Sequence, residues 1–81
     1  MQQKIKPVGS GIGKQNGVVI EIIANDNLLD RCDFGYKIYD VDGNQVGEGN
    51  IPMLDKDYSD WNSANDTAVI FVLTKLNLSK A

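Results

Sequence analysis

Apolar residues first gather at Val18–Ala24. There VVIEIIA puts Val18, Ile20, Ile22 and Ala24 on one face of an extended chain, and Val19, Glu21 and Ile23 on the other. A β-branched run of this length predicts a strand, and Asn25-Asp26-Asn27 ends it. Residues 28–33, LLDRCD, admit an edge strand, a helical turn or a loop. Phe34–Val41 and Gln45–Ile51 then flank Asp42-Gly43-Asn44, which predicts a hairpin. A two-residue loop, Asp42-Gly43, sets Tyr39 opposite Val46 and Lys37 opposite Glu48. It also sets Gly47 and Gly49 opposite Ile38 and Tyr36, whereas a three-residue loop with a bulge shifts the pairing by one.

Beyond Pro52 the alternation stops. Asp55 is placed to cap a short helix over Lys56–Trp61, with Asp57 in its first turn. Ser63-Ala64-Asn65-Asp66 has the spacing of a capping box ahead of AVIFVLTKL. That run has strand propensity as well, but acid at its start, Lys75 in its last turn and Asn77 beyond it predict a helix. Val69, Val72, Leu73 and Leu76 form its apolar stripe. Ile70, Phe71 and Thr74 widen the stripe, so burial on more than one side is expected. Tyr58 and Trp61 are expected to anchor the helical segment on the sheet.

The first sixteen residues have a different texture. Pro7, Gly9, Gly11, Gly13 and Gly17 punctuate a stretch whose branched apolar residues are Ile5, Val8 and Ile12. The expectation is a flexible, glycine-rich, basic N-terminal arm over 1–16, ahead of one small α+β domain over 17–81. That domain is expected to hold an antiparallel sheet of three or four strands, with the C-terminal helices packed on one face. Such an arm orders only on a partner. Lys4, Ile5, Lys6, Val8, Ile12 and Lys14 are its expected protein-interface residues, the lysines meeting acid and the apolar side chains anchoring.

Charge sharpens this picture. The net charge of the 81 residues is −3, but residues 1–14 hold Lys4, Lys6 and Lys14 without any acid, and nine of the eleven acids fall between Asp30 and Asp66. Opposite electrostatic ends suit repeating contacts in an assembly. A chain this short also builds a thin core, which a partner surface can complete. The basic residues form no clustered face of the kind specific nucleic-acid binding requires. The longest apolar run, Ala68–Leu73, has six residues against the ~20 of a membrane helix, and the first residues lack the charged and apolar regions that would lead one to expect a signal peptide.

Candidate chemistry is sparse. There is no histidine and one cysteine, Cys32, so transition-metal sites and nucleophile–base pairs lack most of their parts. Gly9-Ser10-Gly11-Ile12-Gly13-Lys14 misses the phosphate-loop spacing and has no strand before it or helix after it. Asp40-Val41-Asp42-Gly43-Asn44 resembles the start of a calcium loop, but its glycine is fourth rather than sixth, and a β-turn accounts for all five residues. Asp55, Asp57, Asp60 and Asp66 could supply paired carboxylates or hard-metal ligands, but two of them sit where helix starts favour negative charge, and no base, nucleophile or oxyanion donor stands near. Cys32, beside Asp33 and without a resolving thiol, is expected to be packed and dispensable. No catalytic residue, cofactor site or metal site is expected.

One resemblance bears on function. The hairpin YKIYDVDGNQVGEGNI, the polar DYSDWNSAND and the ending TKLNL resemble small virion-associated proteins of tailed bacteriophages. Asp57, Tyr58 and Trp61 carry the D-Y-x-x-W turn of that pattern, and Leu76 and Leu78 close it. The resemblance covers a little over half the chain and leaves out residues 1–16. It implies a non-enzymatic structural component of the virion, a capsid decoration or a head–tail or tail assembly protein. Its partners would be further copies of itself or larger virion proteins: capsid, portal or tail. The rival expectation is a phage-encoded inhibitor that binds a host defence protein through its acidic surface. A small-molecule-binding β module ranks below both, and an enzyme ranks last.

Overall fold

The computed structural model describes residues 1–8 and 17–81. Four strands and two helices follow in order: β1 (Gln2–Val8), β2 (Gly17–Asp26), β3 (Arg31–Tyr39), β4 (Gln45–Leu54), α1 (Asp55–Asp60) and α2 (Asn65–Leu76). The strands form one antiparallel meander, β1-β2-β3-β4, and the helices cover one of its faces. This is the expected small α+β architecture.

The strand of the arm is the main departure. Residues 2–8 are not a flexible segment but the edge strand β1, paired in register Gln2–Glu21, Gln3–Ile20 and Lys4–Val19. Ile22 donates its N–H to the Met1 carbonyl at 2.7 Å, and the Met1 amino group donates back to the Ile22 carbonyl at 2.8 Å. The outer edge of β1 is occupied too. Lys6 N–H donates to Ser79 C=O at 2.9 Å, and Ala81 N–H donates to Lys4 C=O at 3.1 Å, so the C-terminal tail forms a short bridge beside Ile5. With backbone partners on both sides, β1 is ordered by the chain itself. The glycine-rich motif at 9–14 lies outside the described residues.

Alternation decides the two sheet faces. Ile20 and Ile22 of β2, Cys32 and Phe34 of β3, and Ile51 and Met53 of β4 point to the helices, and all six are buried. From α2 come Ala68, Val69, Val72 and Leu73, and Trp61 closes the space after α1. α2 is buried along one side only: Ile70 remains 54% exposed, so the wide apolar girth overstates its burial. Asn77, with φ 59° and ψ 40°, takes the left-handed C-terminal position, and its N–H bonds back to Leu73 and Thr74.

Local signals held unevenly. β2 runs past the expected Ala24 to Asp26, and β4 runs through Pro52, which fits an edge strand because it has no N–H to leave unpaired. In the β3–β4 hairpin Lys37 faces Glu48, Ile38 faces Gly47 and Tyr36 faces Gly49, as expected, but Tyr39 pairs with Gln45 rather than Val46. The cause is a bulge after Ile38, which absorbs a loop wider than two residues. Asp40 organises that loop: its Oδ1 accepts N–H groups from Asp42 (3.0 Å) and Asn44 (2.8 Å), and Gly43 turns with φ 84°.

Neither expected helix cap forms. α1 has Leu54 at its N-cap and α2 has Ala64, both without a side-chain cap bond. Ser63 itself has φ 57° and precedes the N-cap position, which Ala64 takes.

Candidate functional site

The far end of the sheet is built by two short polar side chains. Asn27 Oδ1 accepts N–H groups from Leu29 (2.9 Å), Asp30 (3.0 Å) and Arg31 (3.1 Å), while its Nδ2 donates to Asp30 Oδ1 at 2.6 Å. Asp26 Oδ1 accepts the Leu28 N–H at 2.7 Å. These bonds fix the β2–β3 turn over Asn27–Asp30 and hold Leu28 at φ 61°. The result projects two adjacent leucines into solvent: Leu28 is 85% exposed and Leu29 82%. These large apolar side chains are held away from the core by the turn's own hydrogen bonds.

The tip is tied to the rest of the fold. Tyr58 of α1 donates its hydroxyl to Asp26 Oδ1 at 2.7 Å, and that bond pushes the Tyr58 pKa up to about 12. Tyr58 packs at 6.3 Å from Trp61, which stands edge-on to Phe34 at 5.3 Å and donates Nε1–H to the Ala64 carbonyl at 2.9 Å. The expected anchoring of the helices by Tyr58 and Trp61 is therefore present, and it also braces the tip. Charge around the tip is acidic. Asp26, Asp30 and Asp33 lie on or beside the turn, and α1, which follows Leu54 opposite Arg31 and is tied to Asp26 through Tyr58, adds Asp55, Asp57 and Asp60; Arg31 and Lys56 are already engaged, Arg31 with Asp33 at 2.5 Å and Lys56 with Asp60 at 2.8 Å.

Of the expected interface residues, Lys4, Ile5, Lys6 and Val8 lie on β1, and they do not share one role. Ile5 is 2% exposed in the protein's own core, so it is not an anchor for another molecule; it is needed where it is. Lys4 and Lys6 are exposed on β1, and Val8 pairs with Gly17 through its backbone. Ile12 and Lys14 lie outside the described residues. Lys80 of the tail bridges Ile5, so the basic residues of both chain segments meet along one edge.

Other candidates resolve simply. Cys32 is fully buried on β3, and burial, then Asp26, raises its pKa, so the thiol is shielded and protonated. The face of the sheet away from the helices holds an open depression of about 450 Å³ above Gly35, walled by Ile23, Asn50, Glu21, Lys37 and Glu48. Among the described residues no group of three or more His, Cys, Asp or Glu side chains is placed to hold a metal ion, and no helix is long and apolar enough to cross a membrane.

Leu28 and Leu29 are the residues that sequence reasoning left unassigned. The signal was present: Asn25-Asp26-Asn27 and Asp30 bracket them, and leucines caught between turn-forming side chains have no strand face to turn inward. Searches against family models, characterised proteins and solved structures found nothing that matches the chain.

Proposed function

We propose that this chain is a non-enzymatic structural component of a bacteriophage virion, a capsid decoration or a head–tail or tail assembly protein, that works through protein–protein contacts. The observation that carries the contact role is the braced, acidic tip with Leu28 and Leu29 almost fully in solvent. Preorganised apolar anchors lose little conformational entropy on binding. The virion setting rests on the sequence resemblance in the hairpin, the Asp57-Tyr58-x-x-Trp61 turn and the Leu76/Leu78 ending. Quantitative mass spectrometry of purified particles tests it: a fixed copy number per particle is the expected result, and absence from particles overturns it. The same acidic end favours one second reading, an inhibitor that occupies a basic surface of a host defence protein. That reading requires the chain to be absent from particles and to bind a host protein with marked salt dependence.

A further inference from the structure

The fold turns the charge pattern of the sequence into two separate surfaces. Lys4 and Lys6 on β1, Lys80 on the tail that bridges Ile5, and Lys75 in the last turn of α2 lie in segments that contain no acid, residues 1–20 and 67–81. None of the four has an acidic partner among the described residues, and Lys75 rests over the Phe71 ring at 5.5 Å. The partly buried Leu76 and Leu78 lie in the same stretch. The acidic tip is elsewhere. Lys4 is in register with Val19 near the start of β2, whereas the tip begins at Asp26, seven residues further along that strand. At about 3.3 Å per residue the two surfaces are more than 20 Å apart, well beyond the screening length of about 8 Å at physiological ionic strength.

We infer that copies of this chain associate head to tail, the Leu28–Leu29 tip of one molecule seating against the lysine-rich β1 and tail edge of the next. This deepens the proposed structural role and rests on its contact reading. Charge complementarity selects the occupant: the tip has a surplus of aspartates with both nearby cations engaged, and at the opposite edge Lys4, Lys6 and Lys80 outnumber the one acid of the neighbouring strand, Glu21, which stands opposite Gln2. A tip and an edge are different surfaces, so the contact is heterologous and propagates into a ring or an open row rather than closing a dimer. Each contact is small beside a standard interface of about 1,600 Å², so single contacts are weak and an array holds through many of them.

Complementation distinguishes this from every symmetric alternative. Analytical ultracentrifugation of the intact protein in low salt should show concentration-dependent association, weakened at least tenfold in about 0.5 M salt, where the screening length approaches 4–5 Å. A Leu28→Ser/Leu29→Ser variant, altered only at exposed side chains, should be monomeric. So should a Lys4→Glu/Lys6→Glu variant, with Lys75→Glu/Lys80→Glu as the independent substitute if altering β1 unsettles the fold. Mixed, the tip variant and the edge variant should form a 1:1 complex and go no further, because together they retain one good tip and one good edge. A wild-type protein that stays monomeric at about 1 mM, the weakest contact of practical consequence, overturns the inference. So does an edge variant that still self-associates, or a mixture that forms no complex. None of these outcomes depends on whether particles contain the chain, so the inference and the virion assignment fail separately.

Discussion

Trp61 joins three parts of the molecule: its ring meets Phe34 of the sheet, its indole N–H holds the Ala64 carbonyl ahead of α2, and Tyr58 of α1 packs beside it. Trp61→Ala should therefore cost about 3–5 kcal/mol in a urea titration, a large share of what a domain this size possesses. Tyr58 adds a dependence on pH. Its hydroxyl donates to Asp26, and the protonated form is favoured in the folded protein, with the pKa raised from 10.0 to about 12. A raised pKa gives stability that is complete below about pH 10 and is lost as pH climbs through about 12. The stability gap between wild type and a Tyr58→Phe variant should accordingly narrow across that window in alkaline denaturation curves. Cys32 should resist thiol reagents in the native protein and react once urea unfolds it; rapid native labelling would contradict its burial. At this scale much was legible. One tryptophan beside a tyrosine in a short polar segment has few places to go but the core, and a lone thiol next to a carboxylate makes a poor nucleophile. Leu28 and Leu29 were harder to read as a surface, since leucine ordinarily signals an interior and the bracketing Asn27 and Asp26 had to be weighed against that; their bonds settle the turn.

Among the elements, those whose evidence is local were the readable ones. β2, the β3–β4 hairpin and α2 each carry their own periodicity, turn chemistry or C-terminal signal within a dozen residues. β1 carries none, because what makes it a strand comes from elsewhere: Val19–Glu21 on one side and Ser79–Ala81 on the other. Glycine and proline around it describe its neighbourhood, not its partners. Deleting residues 1–8 should thus do more than trim an arm. It removes Ile5 from the core and bares the edge of β2, and loss of a cooperative thermal transition is the expected result, with the intact chain as control. The hairpin offers a milder test. A Cβ added at Gly49 would come within 2.6 Å of the Tyr36 hydroxyl and 2.8 Å of its ring, so Gly49→Ala should cost about 1–3 kcal/mol unless Tyr36 swings off the strand. The absent helix caps teach a related lesson. Ser63 and Asp66 have the right spacing, but the chain leaving Trp61 reaches α2 through Asn62 and Ser63 in the left-handed region, and the backbone path overrules the motif.

The whole molecule is long and narrow, 42 × 19 × 17 Å, with its acidic apolar tip at the end of the β2–β3 hairpin and Lys4, Lys6 and Lys80 along the β1 and tail edge. Sequence showed that charge was unevenly spread; it could not show that the two basic segments would be laid side by side, since that depends on the single bridge between Ile5 and Lys80. That bridge has a kinetic meaning. Every strand pair in the meander joins neighbours in the chain, so the sheet zips through short closures, the kind of topology that folds quickly. The contact between β1 and the tail spans nearly the full length and must wait until α2 has packed. Substitutions in the β2–β3–β4 meander should therefore slow refolding, whereas those at Ile5 should mainly speed unfolding. The lysine edge would then be the last surface to take shape, leaving a nascent molecule that presents its tip before it can receive another.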